Sequence, residues 1–172
     1  MNRKNLSDDV LIRARKIKLL LMDCDGVLTD GRLYYTESGE QMKVFNVRDG
    51  QGVISWHKAG FRSGIISGRN AKKILEVRAT ELGMNYIKAR SHDKAKDFLD
   101  ILQDAKVTSD EVAYIGDDVG DICLMEEVGF PIAVADAASI VLPYAVYKTK
   151  AKGGFGAVRE VTDLLLRAKE IF

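Results

Sequence analysis

Leu19-Leu20-Leu21-Met22-Asp23-Cys24-Asp25-Gly26-Val27-Leu28-Thr29-Asp30 is the stretch that decides how this chain folds. An apolar run ends in two carboxylates at i and i+2, and a glycine follows at once. A short continuous apolar run reads as a strand buried on both faces, so Lys18 to Met22 is predicted as a central strand of a parallel sheet. Ligands of open α/β sheets gather at the carboxyl ends of strands, where Asp23 and Asp25 fall. If strand geometry continues through them, both acids share one face and reach one site. Carboxylates that close repel each other, and a cation or a shared proton relieves the repulsion. An Asx-rich turn is the alternative for this segment taken alone.

A second acidic cluster favours the site. Glu111-Val112-Ala113-Tyr114-Ile115-Gly116 is another strand-like run, and it ends in Asp117-Asp118-Val119-Gly120-Asp121. A solvated loop or a helix start, where the dipole favours carboxylates, accounts for one such cluster but poorly for two at two strand ends. Together they supply the hard oxygen ligands that Mg²⁺ wants. That ion usually takes one or two protein carboxylates and fills its shell with water and phosphate, so some of these acids are expected to hold waters or neighbouring side chains.

Composition bounds the rest. At 172 residues the chain is expected to be one domain, 1–172, with room for a proper core. Its net charge of +1 suggests neither nucleic acid nor an anionic membrane as partner, so an acidic ligand must be met by locally placed cations. Two cysteines are too few for a disulfide framework and suggest a reducing compartment. Alternation turns Cys24 away from the two acids, as a small core residue. Residues 1–18 carry charges throughout, with no apolar signal segment. No stretch approaches the roughly 20 apolar residues of a membrane span. The expected location is cytoplasmic.

Along the chain, Ser7 followed by Asp8 and Asp9 predicts a capped helix before the first strand. Arg32 to Thr36 and Gln41 to Val47 flank Glu37-Ser38-Gly39-Glu40 as a β-hairpin. A helix from Asp49 to Ala59 ends at Gly60. Strands over Phe61–Ser67, Met84–Lys88, Glu111–Ile115 and Phe130–Val134 then alternate with helices over Asn70–Leu82, Asp93–Asp104 and Ile122–Val128. A short helix at Ala137–Ile140, a strand at Tyr144–Tyr147 and an amphipathic helix from Gly156 to Phe172 close the chain. Such alternation predicts an α/β fold, a doubly wound, Rossmann-like parallel sheet with a β-hairpin inserted after the first strand. The hairpin would leave Leu33, Tyr35, Met42, Val44 and Phe45 with much apolar surface, a physical reason to expect oligomerisation.

Four motifs carry a family resemblance. Asp23-x-Asp25-Gly26-Val27-Leu28-Thr29-Asp30, Ser67 after Ile65-Ile66, Lys94, and Gly116-Asp117-Asp118-x-x-Asp121 resemble, in order, the four motifs of haloacid dehalogenase-superfamily phosphatases. With no insertion long enough for a separate cap domain, the chain is similar to the capless branch, whose members are typically homotetramers in which a neighbouring subunit helps close the active site. The resemblance implies Asp23 as nucleophile, forming an aspartyl-phosphate, and Asp25 as the acid that protonates the leaving oxygen and then activates water. It places Mg²⁺ on Asp23, the main-chain carbonyl of Asp25, and Asp117, with Asp118 and Asp121 holding metal-bound waters and Lys94. Ser67 and Lys94 would meet phosphate oxygens. A helix N-cap for Ser67 and a solvated helix start for Lys94 are the alternatives.

Asn46-Val47-Arg48-Asp49-Gly50 and Ser67-Gly68-Arg69 resemble stretches of the 3-deoxy-D-manno-octulosonate 8-phosphate phosphatases. That likeness implies a small phosphorylated sugar acid as substrate, a step of lipopolysaccharide precursor synthesis. A substrate carboxylate wants a guanidinium, so Arg48, Arg69 and Arg78 are candidates beside Asn46, Asp49, Gly50 and Gly68. A nonulosonate 9-phosphate phosphatase, whose members tend to carry glutamate where Arg69 stands, and a broad sugar-phosphate phosphatase are alternatives, as is a non-catalytic assembly module. Lys152-Gly153-Gly154-Phe155-Gly156 resembles a glycine-rich segment that reaches an adjacent subunit's site. Phe155 stands where arginine or histidine is common, and Ile54 where some members place a basic residue.

Overall fold

The computed structural model describes residues 6–171. Six parallel strands form the central sheet: β1 (Leu19–Met22), β4 (Arg62–Ser67), β5 (Tyr86–Ala89), β6 (Val112–Gly116), β7 (Phe130–Ala133) and β8 (Tyr147–Lys148). Their order is β5-β4-β1-β6-β7-β8, so the chain winds outward both ways from β1. Met22 is level with Ile65 on one side and Ile115 on the other. A parallel sheet must be covered on both faces, which explains why β1 is apolar at every position. Leu20 and Met22 point into one core and Leu19 and Leu21 into the other.

Helices α1 (Asp8–Lys16), α2 (Val47–Lys58), α3 (Lys72–Leu82) and α6 (Ala157–Ala168) cover the first face, through Val10, Trp56, Leu75 and Leu165 among others. On the opposite face α4 (Lys94–Ala105) and the single turn α5 (Ile122–Met125) supply Phe98, Ile101 and Leu124. Ser7 caps α1 by accepting the Val10 amide, with Asp8 and Asp9 in the first turn, as the sequence predicts. The expected fold class, a doubly wound parallel sheet, is what forms.

Several boundaries differ. The predicted helix Ile122–Val128 stops at Met125, because the chain must turn to lay Gly129 against the Asp110 backbone, a place with no room for a Cβ. The strand expected at Tyr144–Tyr147 pairs with β7 only from Tyr147, and 3₁₀ turns through Pro143 occupy Ser139–Tyr144. The last helix ends at Ala168; Phe172, its expected end, lies outside the described residues. The hairpin forms as β2 (Tyr34–Thr36) and β3 (Gly39–Met42), with a register shift beside Tyr34 and no pairing to the main sheet.

Candidate active site

Every acid of the first motif lies beyond the end of β1, whose neighbours are β4 and β6. Asp23 continues the strand by one residue, its amide bonded to Ile115 O at 3.0 Å. Strand geometry ends there. Val27, Leu28 and Thr29 all turn their amides to Cys24 O, so Asp25 sits on a tight turn rather than on a continuing strand. Gly26 makes that turn possible with a φ of 84°, and its missing side chain leaves the space that the Asp117 carboxylate fills. Cys24 is fully buried, as alternation predicts.

Asp23, Asp25, Gly31, Leu33, Ser67, Gly68, Arg69, Lys94, Asp117, Asp118, Gly120 and Asp121 line one cleft of about 370 Å³. A larger groove of about 450 Å³ lies elsewhere, along α6, and holds none of these groups. Chemistry rather than size identifies the site. Lys94 reaches Asp23 at 3.2 Å and Asp121 at 2.8 Å. Asp121 is saturated: it also accepts from Tyr114 Oη at 2.6 Å and from the amides of Asp117 and Asp118. Asp118 turns instead to the Val119 amide at 2.7 Å.

The charges do not balance within the acid cluster. Asp23, Asp117 and Asp121 each offer an oxygen within 4.8 Å of the others. Burial, opposed by Lys94 and reinforced by Asp121, lifts the Asp23 carboxyl from 3.8 to about 6. Burial together with the charges of Asp121, Asp23 and Asp118 lifts Asp117 to about 8. Asp117 Oδ1 is buried with no hydrogen-bond partner among the described residues. A buried carboxylate oxygen left open beside like charges fits a hard divalent cation, and because Asp121 is already used, Asp23 and Asp117 are the carboxylates that could hold it.

The cationic side of the cleft is Lys94 and Arg69. Burial works against the Lys94 ammonium, but the carboxylates of Asp23 and Asp121 outweigh it and raise its pKa. Ser67 ends β4 almost wholly buried, and its Oγ accepts from the Arg69 amide at 3.4 Å. It is not a helix cap: α3 starts five residues later, behind Ala71. Arg69 donates to Tyr35 Oη of the hairpin at 2.6 Å and lies 3.8 Å from Asp25 Oδ2.

Five predicted substrate residues do not line this cleft. Asn46 caps α2 through the Arg48 amide and ties down Gly154 O at 3.0 Å. Asp49 is buried and accepts from the amides of Gly156 and Arg159, at 3.1 and 2.8 Å, at the start of α6. Gly50 packs beneath Arg78, which lies over the Phe45 ring and pairs with Glu81. Arg48 lines the groove along α6, beside an exposed Phe155. Ile54 packs half-buried against the core. Gly153 and Gly154 lie against the backbone of Gly26 and Asp30 in the same chain.

Sequence reading missed Tyr114, which looks like one more apolar strand residue, and Lys43. The Lys43 side chain has no exposed surface and meets Asp25 Oδ1 at 2.5 Å. A signal for it existed: Met42 and Val44 share one side of the alternation, and both are exposed. If the apolar side faces out, the lysine between them faces in.

Known proteins resemble this chain in sequence and fold. The sequence pattern of the haloacid dehalogenase-like hydrolases matches residues 65–159, more than half of the chain. The chain is 45% identical over 165 residues to a 3-deoxy-D-manno-octulosonate 8-phosphate phosphatase of Yersinia pestis, covering 96% of this chain and 88% of that one. The Escherichia coli K12 phosphatase of the same name is 44% identical over 95% of this chain and 87% of its own. A crystal structure of the Yersinia pestis enzyme superposes with a TM-score of 0.93 at 45% identity, covering 96% and 89% of the two chains. That of a Moraxella catarrhalis phosphatase, solved with magnesium, phosphate and a KDO molecule, gives 0.92 at 35% identity, covering 97% and 95%. The cobalt-bound Haemophilus influenzae phosphatase gives 0.89 at 37% identity, covering 92% of each. With its acids on the ends of β1 and β6 and such likeness along nearly its whole length, the chain belongs to the haloacid dehalogenase-like hydrolases, in the branch of the 3-deoxy-D-manno-octulosonate 8-phosphate phosphatases.

Proposed function

We infer that this chain is a Mg²⁺-dependent phosphatase that hydrolyses 3-deoxy-D-manno-octulosonate 8-phosphate to the free sugar acid and phosphate. One observation carries the reading. Asp23 just past β1, Lys94 at the start of α4 and Asp117 just past β6 converge on a single cleft that also holds Asp25, Ser67 and Arg69. An assembly module has no need of that arrangement.

In this reading the Asp23 carboxylate attacks phosphorus, the ester bond breaks, and Asp25 gives its proton to the departing sugar oxygen. Asp25 then takes a proton from the water that attacks the aspartyl-phosphate, releasing phosphate and restoring Asp23. Lys94 holds Asp23 in place and faces the phosphoryl oxygens, as the Ser67 hydroxyl does. Asp23, Asp117 and the Asp25 carbonyl would hold Mg²⁺, which when bound would supply the positive charge that lets a carboxylate approach a phosphate. Arg69, inside the cleft, is the guanidinium best placed to meet the substrate carboxylate from within one chain.

Within this reading the chain assembles as a homotetramer. Tyr35 is 62% exposed, and Leu33, Met42 and Val44 are exposed beside it. Arg48 and Arg78 lie outside the cleft of their own chain, which supports a site completed by a neighbouring copy. For location, no helix among the described residues is long and apolar enough to cross a membrane. Cys24 and Cys123 form no disulfide with each other, which suits the reducing cytoplasm.

Phosphate release with Mg²⁺ across phosphorylated sugar acids, sugars and nucleotides tests the reading. The expected result is a preference of about 100-fold or more for the octulosonate 8-phosphate, about 2.7 kcal/mol of differential transition-state binding. A preference for a nonulosonate 9-phosphate would reassign the substrate, and no release from any of them would return the chain to an assembly role.

A further inference from the structure

We propose that Lys43 is a positioning residue, which aims the free oxygen of Asp25 at the leaving-group oxygen of the substrate. The inference rests on the acid role given to Asp25 above and concerns what holds that acid in place.

Asp25 is anchored at one oxygen only. Lys43 Nζ meets Oδ1 at 2.5 Å, while Oδ2 has no hydrogen-bond partner among the described residues. Arg69 Nε lies 3.8 Å from Oδ2, too far for a hydrogen bond but near enough to attract it. A carboxylate on a turn swings about two torsions. Fixing one oxygen leaves the other pointing in a single direction, and Asp25 forms part of the cleft wall. The ammonium is itself constrained. The Lys43 side chain has 0% exposure, and a buried charge that loses its partner pays a large desolvation cost, so the pair does not open into solvent.

The hairpin that carries Lys43 approaches the catalytic groups twice. Lys43 follows β3 and holds Asp25, while Tyr35 on β2 accepts from Arg69 Nη2 at 2.6 Å. Arg69 in turn faces the other side of the Asp25 carboxylate. The insertion therefore anchors one oxygen of the acid with a lysine it contributes and steadies the arginine that attracts the other. This gives the hairpin a chemical task in addition to any assembly through its apolar outer side.

The leaving group provides a readout that a structural role would not move. A sugar alkoxide needs a proton to depart, whereas p-nitrophenolate leaves without one. Positioned general acids are worth about 10²–10⁴-fold, and a misaimed one forfeits part of that. In kcat/KM, which reports the step that breaks the ester bond, Lys43→Met is expected to lose about 100-fold on the sugar phosphate and less than about 5-fold on p-nitrophenyl phosphate. KM for the sugar phosphate should stay within about threefold, and Asp25→Asn should discriminate between the two substrates in the same sense. Adding Lys43→Met to Asp25→Asn should cost nothing further.

Equal losses on both substrates, or additive losses in the double variant, would overturn the proposal and leave Lys43 holding only the hairpin. If Asp25→Asn discriminates and Lys43→Met does not, the proposal fails while the acid role of Asp25 stands. If Asp25→Asn fails to discriminate, the acid role falls and the proposal with it. Should Lys43→Met lose the wild-type circular dichroism spectrum, Lys43→Gln carries the same comparison, with a smaller discrimination because the amide still donates.

Discussion

Asp117 shows what a single side chain costs when it is built for a cation. Its carboxyl is lifted from 3.8 to about 8, and that of Asp23 to about 6, by burial and by the neighbouring charge of Asp121. Both groups hold a proton more tightly when the protein is folded than when it is unfolded. Their contribution to stability is therefore complete below about pH 4. It is lost as pH rises, through about 6 for Asp23 and about 8 for Asp117. We predict that the metal-stripped protein loses thermal stability between pH 5 and pH 8, and that Mg²⁺ removes the loss. At 100 times its Kd an ion bound only to the folded state adds about 2.7 kcal/mol, on the order of 5–10 °C in Tm for a chain of this size. Asp117→Asn should raise the metal-free Tm at pH 8 and abolish the gain on adding Mg²⁺. Melting curves that rise with pH without metal would contradict this account.

At the scale of elements, the start of α6 is held from outside its own sequence. Gly156 precedes the helix with a φ of 103° and offers no side chain to cap it. Asp49 of α2 does the capping, taking the amides of Gly156 and Arg159. Burial keeps the Asp49 carboxyl above its ordinary range even so, against the pull of those amides. The same two elements make the most extensive helix pairing of the fold, with Gly52 pressed against Arg159 and Thr162. Residues 153 and 154, just before α6, lie on the turn that carries Asp25 and Gly26. Replacing a helix cap costs roughly 0.5–2 kcal/mol, and charge-assisted bonds lie at the strong end. Asp49→Ala is therefore expected to lower stability by about 2 kcal/mol and Tm by about 4–8 °C. Thermal denaturation measures it, and an unchanged Tm would free Asp49 for a role at the substrate.

For the whole molecule, the hairpin is what one chain leaves unfinished. Two strands that pair only with each other are marginal, yet these expose Tyr35, Met42 and Val44 together. Burying such surface against copies of itself is the ordinary remedy, and closed symmetry limits the result to a small assembly. We predict that Val44→Lys, which places a charge on that side without touching Lys43 or Asp25, shifts the proposed tetramer to smaller species. Sedimentation velocity reads the change directly. A tetramer that survives it would place the subunit contact elsewhere.

The order of the main strands and helices, the two acidic clusters and the Ser7 cap of α1 were legible in the chain, because each is a local matter of periodicity, capping and residue type. Asp23, Asp25 and Asp117 stand out as carboxylates directly after apolar strand-like runs, whereas Ser67 and Lys94 are singled out by the family resemblance, since a serine or lysine beside a helix start has ordinary structural uses. What lay beyond reach depends on residues far apart in sequence. Lys43 reads as a surface lysine until the hairpin turns its apolar side outward and buries it against Asp25. Tyr114 is one more core residue until Asp121, seven positions on, accepts its hydroxyl. Asp49 looks like a ligand until α6 arrives to use both its oxygens. Periodicity and residue type were enough to set the sheet and the chemistry at its strand ends; which charges meet depends on the folded chain, because a buried charge is stable only with its partner and the partner is supplied by the fold.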